Sequence, residues 1–274
     1  EYRTPEKTIP EKLKEKKMVI GRIGRAEPSK WNFLILATLW NLDMKKNYDY
    51  GFLFAGMPKL YRWFIKSMLS KKMQDSIVIL PEQRGLESVG AFYNSIDIFW
   101  QTSRIGESFW NVIAEAFSFE LPVITDYKDF YNNWDIRPHL YDAQVELVDY
   151  DVTGYHANFP WVFEKIISGL DVTKIERLGK WAYKKALELY EWRVWAETLT
   201  RILYEHGRAH LGFEKDQRFE SLVQIPSEEI FKNYKIEHLK KIEICKRENE
   251  QEKKWSILLY KFFEKIWWWI EFVY

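Results

Sequence analysis

The sequence predicts an α/β fold: a parallel sheet with helices on both faces, followed by a helical C-terminal extension. Three observations predict it. Apolar runs of strand length alternate with segments of helical periodicity. The runs are apolar nearly throughout, as strands covered on both faces require. Pro28, Pro58, Pro81 and Pro122 stand at the changeovers between them.

Taken in order, residues 1–17 are rich in Pro and Lys and read as a linker. A strand over 18–23 enters a loop, and a helix covers about 30–45 with Phe33, Leu34, Leu36 and Leu39 at apolar positions. A buried strand follows at 51–56, and Pro58 opens a helix to about Ser70. Residues 76–80 form the next strand, closed by Pro81. A helix over 86–94, a strand over 96–102, a helix over 109–118 and a strand over 122–125 continue the alternation. The last strand is expected at 145–148. Helices over 160–205, broken at 171–175, close a domain of residues 18–206. Residues 207–274 form the extension: an irregular connection to 226, a charged helix N-capped by Ser227, and a distinct end from Trp255. In such sheets ligands bind beyond the carboxyl ends of the strands. The loops there are 22–30, 56–58, 81–85, 102–108 and 126–137.

Bulk properties exclude several classes. With 41 basic and 40 acidic residues the chain carries a net charge of +1, which argues against a general nucleic-acid binder. Cys245 is the only cysteine, so there is no disulfide framework and no thiol cluster for zinc; a reducing, cytoplasmic setting is expected. The first 17 residues have no apolar core, so no signal peptide is read there. Among five His, only His206 and His210 have metal-ligand spacing, at a helix end where surface histidines are the ordinary reading. His139 and His156 fall in loops on the site side. There is no Walker loop and no Ser/His/Asp arrangement. The 14 Trp recur mostly at helical spacing, which is a packing pattern.

Two segments carry chemistry. In Gly21-Arg22-Ile23-Gly24-Arg25-Ala26-Glu27-Pro28-Ser29-Lys30-Trp31, glycines permit close backbone approach. Arg25 and Lys30 flank a Pro-containing loop and can converge on a diphosphate, the one as a fork and the other as a point charge. In the second, Glu107 and Glu115 sit eight apart around an apolar helical segment. Glu107 lies where a loop becomes a helix, beside outward-pointing N–H groups that suit an anion. Glu115 lies between Ala114 and Ala116, where a buried carboxylate needs a hydrogen-bonding partner such as a ligand hydroxyl.

Gly106-Glu107-Ser108-Phe109 through Glu115-Ala116 to Leu121-Pro122-Val123 resembles the Glu-x7-Glu signature of retaining GT-B glycosyltransferases, glycosyltransferase family 4 in particular. Gly21-Arg22…Lys30-Trp31 resembles that family's Gly-Arg…Lys loop. Tyr93-Asn94-Ser95-Ile96-Asp97-Ile98 with Thr102-Ser103 resembles its Tyr-x-x-x-Asp segment. The resemblance covers about residues 15–206, the C-terminal, Rossmann-like, nucleotide-sugar-binding half of a two-domain fold. It implies a metal-independent enzyme transferring a sugar, of hexosyl type, from a nucleotide diphosphate sugar to a hydroxyl acceptor on a glycan, a lipid-linked glycan or a protein, with no cofactor besides the donor.

By the same resemblance Arg25 and Lys30 would hold the diphosphate, with Arg22 a further partner and Gly24 beside it. Glu115 would bind ribose hydroxyls. Glu107 would contact the transferred sugar, next to the backbone N–H groups of Ser108, Phe109, Trp110 and Asn111. Pro81 and Glu82 would lie against the base. Two departures stand out. The family usually has Gly where this chain has Trp110, so an indole either fills the sugar pocket or turns into the sheet. The N-terminal half of the fold is missing, so a further segment or a partner subunit would supply much of the acceptor site. The alternative reading is a non-catalytic sugar-nucleotide-binding or scaffolding subunit.

The C-terminal stripe Trp255, Leu258, Leu259, Phe262, Phe263, Ile266, Trp269, Ile270 and Val273 has helical spacing and is interrupted by charges. It reads as a helix packed on protein, with an in-plane membrane surface through 255–274 as the rival, making the protein peripheral on a membrane.

Overall fold

The computed structural model describes residues 9–102, 111–126, 147–190, 240–241, 243–244, 247 and 260–267. The strands are β1 (Met18–Ile23), β2 (Tyr50–Ala55), β3 (Ile77–Leu80), β4 (Ile98–Gln101), β5 (Val123–Thr125) and β6 (Gly154–His156). The helices are α1 (Phe33–Met44), α2 (Lys59–Met68), α3 (Lys71–Asp75), α4 (Leu86–Asn94), α5 (Asn111–Ser118), α6 (Pro160–Ser168) and α7 (Val172–Tyr190). The sheet order is β3-β2-β1-β4-β5-β6, with every pair parallel. The chain runs outward from β1 to β3, then returns to lay β4 against the other side of β1. That reversal opens a crevice at the carboxyl ends of β1 and β4.

Both faces of the sheet are covered, as the apolar runs require. In β1, Met18 and Ile20 join the cluster under α1, α2 and α6, while Val19 and Ile23 join the cluster under α4, α5 and α7. Asn32 starts α1 by accepting a hydrogen bond from the Leu34 N–H at 3.0 Å. Ser70 does the same for α3 through Met73 N–H, so the helix expected to reach Ser70 ends at Met68 and a second one begins.

Three expectations are corrected. Residues 9–17 belong to the domain, because Leu13 is fully buried against the second cluster. The sixth strand is Gly154–His156 rather than 145–148; Leu147 and Val148 are buried without joining the sheet. At Gly154 a Cβ would meet the Val123 carbonyl oxygen at 1.8 Å, so only glycine lets the chain turn into this edge pairing. The break between the last two helices falls at 169–171, where the Asp171 carboxylate accepts from the Lys174 N–H at 2.8 Å. Most of the charged helix expected from Ser227 lies outside the described residues.

Residues 260–267 are helical and pack on the domain itself. Trp267 is buried, its ring 5.7 Å from Phe33, 5.4 Å from Tyr61 and 5.7 Å from Phe64. Tyr260 packs at 6.0 Å on Phe33 and 5.4 Å on Phe159. Phe262, Phe263 and Ile266 face outward. The packing is done by Tyr260 and Trp267, which lie off the expected stripe, while the stripe residues Phe262, Phe263 and Ile266 are exposed, so the expectation that these pack on protein is corrected; the rest of the stripe lies outside the described residues. Trp267→Ala is expected to cost about 3 kcal/mol in denaturant unfolding, the lower end for a buried tryptophan. A loss below about 0.5 kcal/mol, the range of unburied surface changes, would mean that the segment does not pack as described.

Candidate functional site

The site is built at the crevice between β1 and β4. Seven of the buried polar or charged residues, Arg22, Asn32, Gln101, Thr102, Thr125, Asp126 and His156, lie at or just past the carboxyl ends of strands. Burying polar groups is costly unless they are bonded, so their gathering at one edge marks it as the functional edge.

Arg22 is the centre of this arrangement. It is only 1% exposed. Its Nη1 donates to the Ile23 carbonyl, and its Nη2 donates to Lys30 O at 2.6 Å and Thr102 O at 2.9 Å. The guanidinium lies 5.3 Å from the Trp31 ring. Trp31 in turn donates its indole N–H to Arg25 O at 2.8 Å. One buried side chain thus ties the loop after β1 to the end of β4. The sequence reading made Arg22 a donor-binding residue; in the structure its Nη1 and Nη2 donate to backbone carbonyls, which positions the loop.

That loop carries Gly24, Arg25 and Lys30. The Gly24 N–H donates to Ala55 O at 3.1 Å, and Gly56, at φ +74°, passes so close that a Cβ would meet Gly24 O at 1.9 Å. Glu82 lies alongside, its Cα 3.6 Å from the same point, so the loops after β1, β2 and β3 meet here. Arg25 is exposed, with Nη1 3.6 Å from Glu27 Oε1. Such an exposed pair is weak, and a diphosphate can outcompete it. Lys30 closes a 3-10 turn over Pro28–Lys30 that turns the chain toward α1. Pro81 and Glu82 are exposed on the third loop, Glu82 pairing with Arg84 at 3.2 Å.

Across the crevice, Asn111 opens α5 and Glu115 lies one turn further on. The expectation of a buried Glu115 is corrected: the residue is exposed, and its Oε2 accepts from Tyr93 Oη at 2.9 Å. Tyr93 Oη also lies 3.2 Å from Val112 O. The carboxyl end is still partly withdrawn from water, which raises its pKa, while the tyrosine hydrogen bond works the other way. Burial raises Tyr93 far more, the Glu115 charge adds to that, and the Arg22 charge opposes it. Glu107, Ser108, Phe109 and Trp110 lie outside the described residues, as does the side chain of Asn111.

Sequence reasoning missed a link on the other flank. Asn32 Nδ2 donates to Asp126 Oδ2 at 2.7 Å, joining the start of α1 to the end of β5. An Asn preceding an apolar helix was the available signal. His156 pairs in register with Thr125 and is buried in β6, not in a loop. Asp97, from the Tyr-x-x-x-Asp segment, accepts from Val19 N–H at 2.6 Å and has a structural part. A groove of about 890 Å³, lined by Lys17, Met18, Tyr93, Ile96, Leu121 and Val172 among others, opens at the opposite edge, by the amino ends of β1 and β4. Its volume does not make it the donor site, since loops and buried polar groups gather at the carboxyl edge. Among the described residues no group of three His, Cys, Asp or Glu is placed to hold a metal ion.

A carboxyl whose pKa is raised on folding binds its proton more tightly in the folded state. Its ionised form costs stability above the folded pKa, and the cost vanishes as pH falls below the ordinary carboxylate value. Glu115→Gln keeps an acceptor for Tyr93, so it should raise the melting temperature at neutral pH. The gain should shrink to nothing by about pH 4, the usual glutamate value. A pH-independent difference would rule out the titration of Glu115 as its source. Arg22→Met should cost about 3 kcal/mol in unfolding, because it strands buried carbonyls worth roughly 1–3 kcal/mol each.

Residues 4–131, a little under half of the chain, match the family described as Glycosyl transferases group 1. No curated protein sequence shows significant similarity. Among solved structures, Anabaena HepE in complex with UDP and glucose is similar at TM-score 0.54 and 16% identity, over 69% of this chain and 48% of that one. The sucrose-phosphate synthase of Thermosynechococcus elongatus is similar at TM-score 0.53 and 18% identity, over 72% and 47%. The C-terminal domain of the glycosyl transferase group 1 family protein LpcC from Francisella tularensis is similar at TM-score 0.52 and 16% identity, over 69% of this chain and 95% of that domain. The chain spans about half the length of the longer structures. Its six-stranded parallel sheet has the Rossmann-like fold of GT-B glycosyltransferases, in the form of their C-terminal domain.

Proposed function

We propose that the chain is the donor-binding half of a retaining glycosyltransferase of family 4 type, moving a hexosyl group from a nucleotide diphosphate sugar to a hydroxyl acceptor. One observation supports the reading: the loop that carries Arg25 and Lys30 and the helix that carries Glu115 both follow the carboxyl ends of the neighbouring strands β1 and β4. Cations on one wall suit a diphosphate, and a solvent-facing carboxylate one turn into α5 suits ribose hydroxyls. HepE, of the same fold, is complexed with UDP and UDP-glucose, which makes UDP the first nucleotide to test.

The protein's part in transfer is positioning and charge stabilisation. Arg25, Lys30 and the N–H groups at the start of α5 neutralise the leaving diphosphate, so no metal is required. In a front-face displacement the bond from C1 to the diphosphate oxygen breaks while the acceptor oxygen bonds C1 from the same side. The acceptor proton passes to the leaving diphosphate. Glu107 holds sugar hydroxyls during this step. The acceptor site belongs mainly to the other half of the fold, so donor binding is the part of the activity that this chain's own residues supply.

Calorimetric titration with UDP-, GDP- and ADP-sugars is the test. One nucleotide class should bind, and Glu115→Ala should weaken it roughly 10- to 100-fold, the about 1.5–3 kcal/mol of a charge-assisted hydrogen bond. Arg25→Gln and Lys30→Gln should each weaken the nucleoside diphosphate more than the nucleoside. A folded protein that binds none of the three classes would remove the donor-site reading.

A further inference from the structure

One face of the domain is built of helices that the donor site does not use. On α2, Tyr61, Phe64 and Ile65 point into the core, while Lys59, Arg62, Trp63 and Lys66 point out. Residues 59–72 hold five basic residues and no acidic one, in a chain whose totals are 41 and 40. Charge has therefore been segregated onto this face. Of the nearby carboxylates, Asp43 accepts from Ser70 N–H at 2.6 Å, and Asp75 pairs with Lys71, one of the five, and with Lys12. Among the described residues Lys59, Arg62 and Lys66 have no ion pair.

Large apolar side chains stand exposed among these cations. Trp63 is 58% exposed on α2, and Met44 is 72% exposed at the end of α1. The bond from Ser70 to Asp43 brings the ends of α1 and α2 together, so Met44 and the exposed Met68 share one end of the face. At the other end Trp267 anchors residues 260–267 on Tyr61 and Phe64, and this segment adds exposed Lys261, Phe262, Phe263, Lys265 and Ile266. Cations interleaved with Trp, Phe and Met across adjoining helices have the chemistry of an interfacial surface: ammonium and guanidinium groups for phosphate head groups, rings for the boundary below them. A second copy of the chain would set like charge against like.

We propose that the outer face of α1, α2 and residues 260–267 is a docking surface for an anionic lipid bilayer, on which the domain lies with α2 parallel to the membrane plane. No described helix is long and apolar enough to cross a membrane.

Flotation of the full chain with vesicles of phosphatidylcholine, alone or mixed with phosphatidylglycerol, tests this. The protein should float with the mixed vesicles and not with phosphatidylcholine alone, and added salt should release it. Near an anionic surface each Lys or Arg changes partitioning about fivefold, so K59Q/R62Q/K66Q should reduce it on the order of 100-fold. W63A should reduce it less. These side chains are exposed, so circular dichroism and melting should match the parent protein. Equal flotation with both lipids, or a triple variant that floats like the parent, overturns the proposal. So does absence of flotation, whether sedimentation velocity shows a monomer or a dimer that the triple variant dissolves.

Discussion

The site depends on one buried cation. Moving a guanidinium out of water is expensive, and the expense is offset only when its donors meet acceptors in good geometry. Arg22 meets the carbonyls of Ile23, Lys30 and Thr102, and has Trp31 beneath it. Each of those acceptors belongs to a segment that forms the crevice. Thr102 ends the strand that leads to α5, and Lys30 ends the loop that leads to α1. An apolar residue at this position would strand those carbonyls and leave both loops free to choose other paths. The charge therefore fixes the loop that carries Arg25 and Lys30 against the end of β4.

The strands were legible because a strand buried on both faces must be apolar throughout, and five of the six runs met that condition. β6 was not, because Gly154-Tyr155-His156 is an edge strand with a single apolar aromatic, and its glycine is dictated by the Val123 carbonyl of a neighbour. The burial of Arg22 was not legible for a related reason. A basic residue beside glycines suggests a loop reaching for an anion, but Arg22 is the fifth residue of a fully buried strand. Its face is the one shared by Met18 and Ile20, and the period of two along β1 was the signal to follow.

Glu115 shows the limit of reading neighbours along a helix. Ala114 and Ala116 suggested an apolar setting, but residues one apart on a helix lie on different faces. The partner that matters, Tyr93, is 22 residues away and reaches Glu115 only because α4 and α5 pack on the same side of the sheet. The sequence around Glu115 did not show what holds its carboxylate. The result is a carboxylate that is solvent-facing yet partly desolvated, with the Tyr93 hydroxyl as its hydrogen-bond donor.

The C-terminal segment closes the chain of dependence. Tyr260 and Trp267 are seven apart and share one helix face, which fills the space beside Phe33 at the first turn of α1. Burial, together with the Glu264, Asp126 and Tyr61 groups, raises the Tyr260 hydroxyl well above its usual pKa, so this ring sits within electrostatic reach of Asp126. Asp126 in turn holds Asn32, which starts α1 and follows directly on the Lys30 turn. Residues 260–267 thus have two separate duties. Their inner side braces the start of α1, and with it one wall of the crevice, while their outer side extends the cationic face of α2.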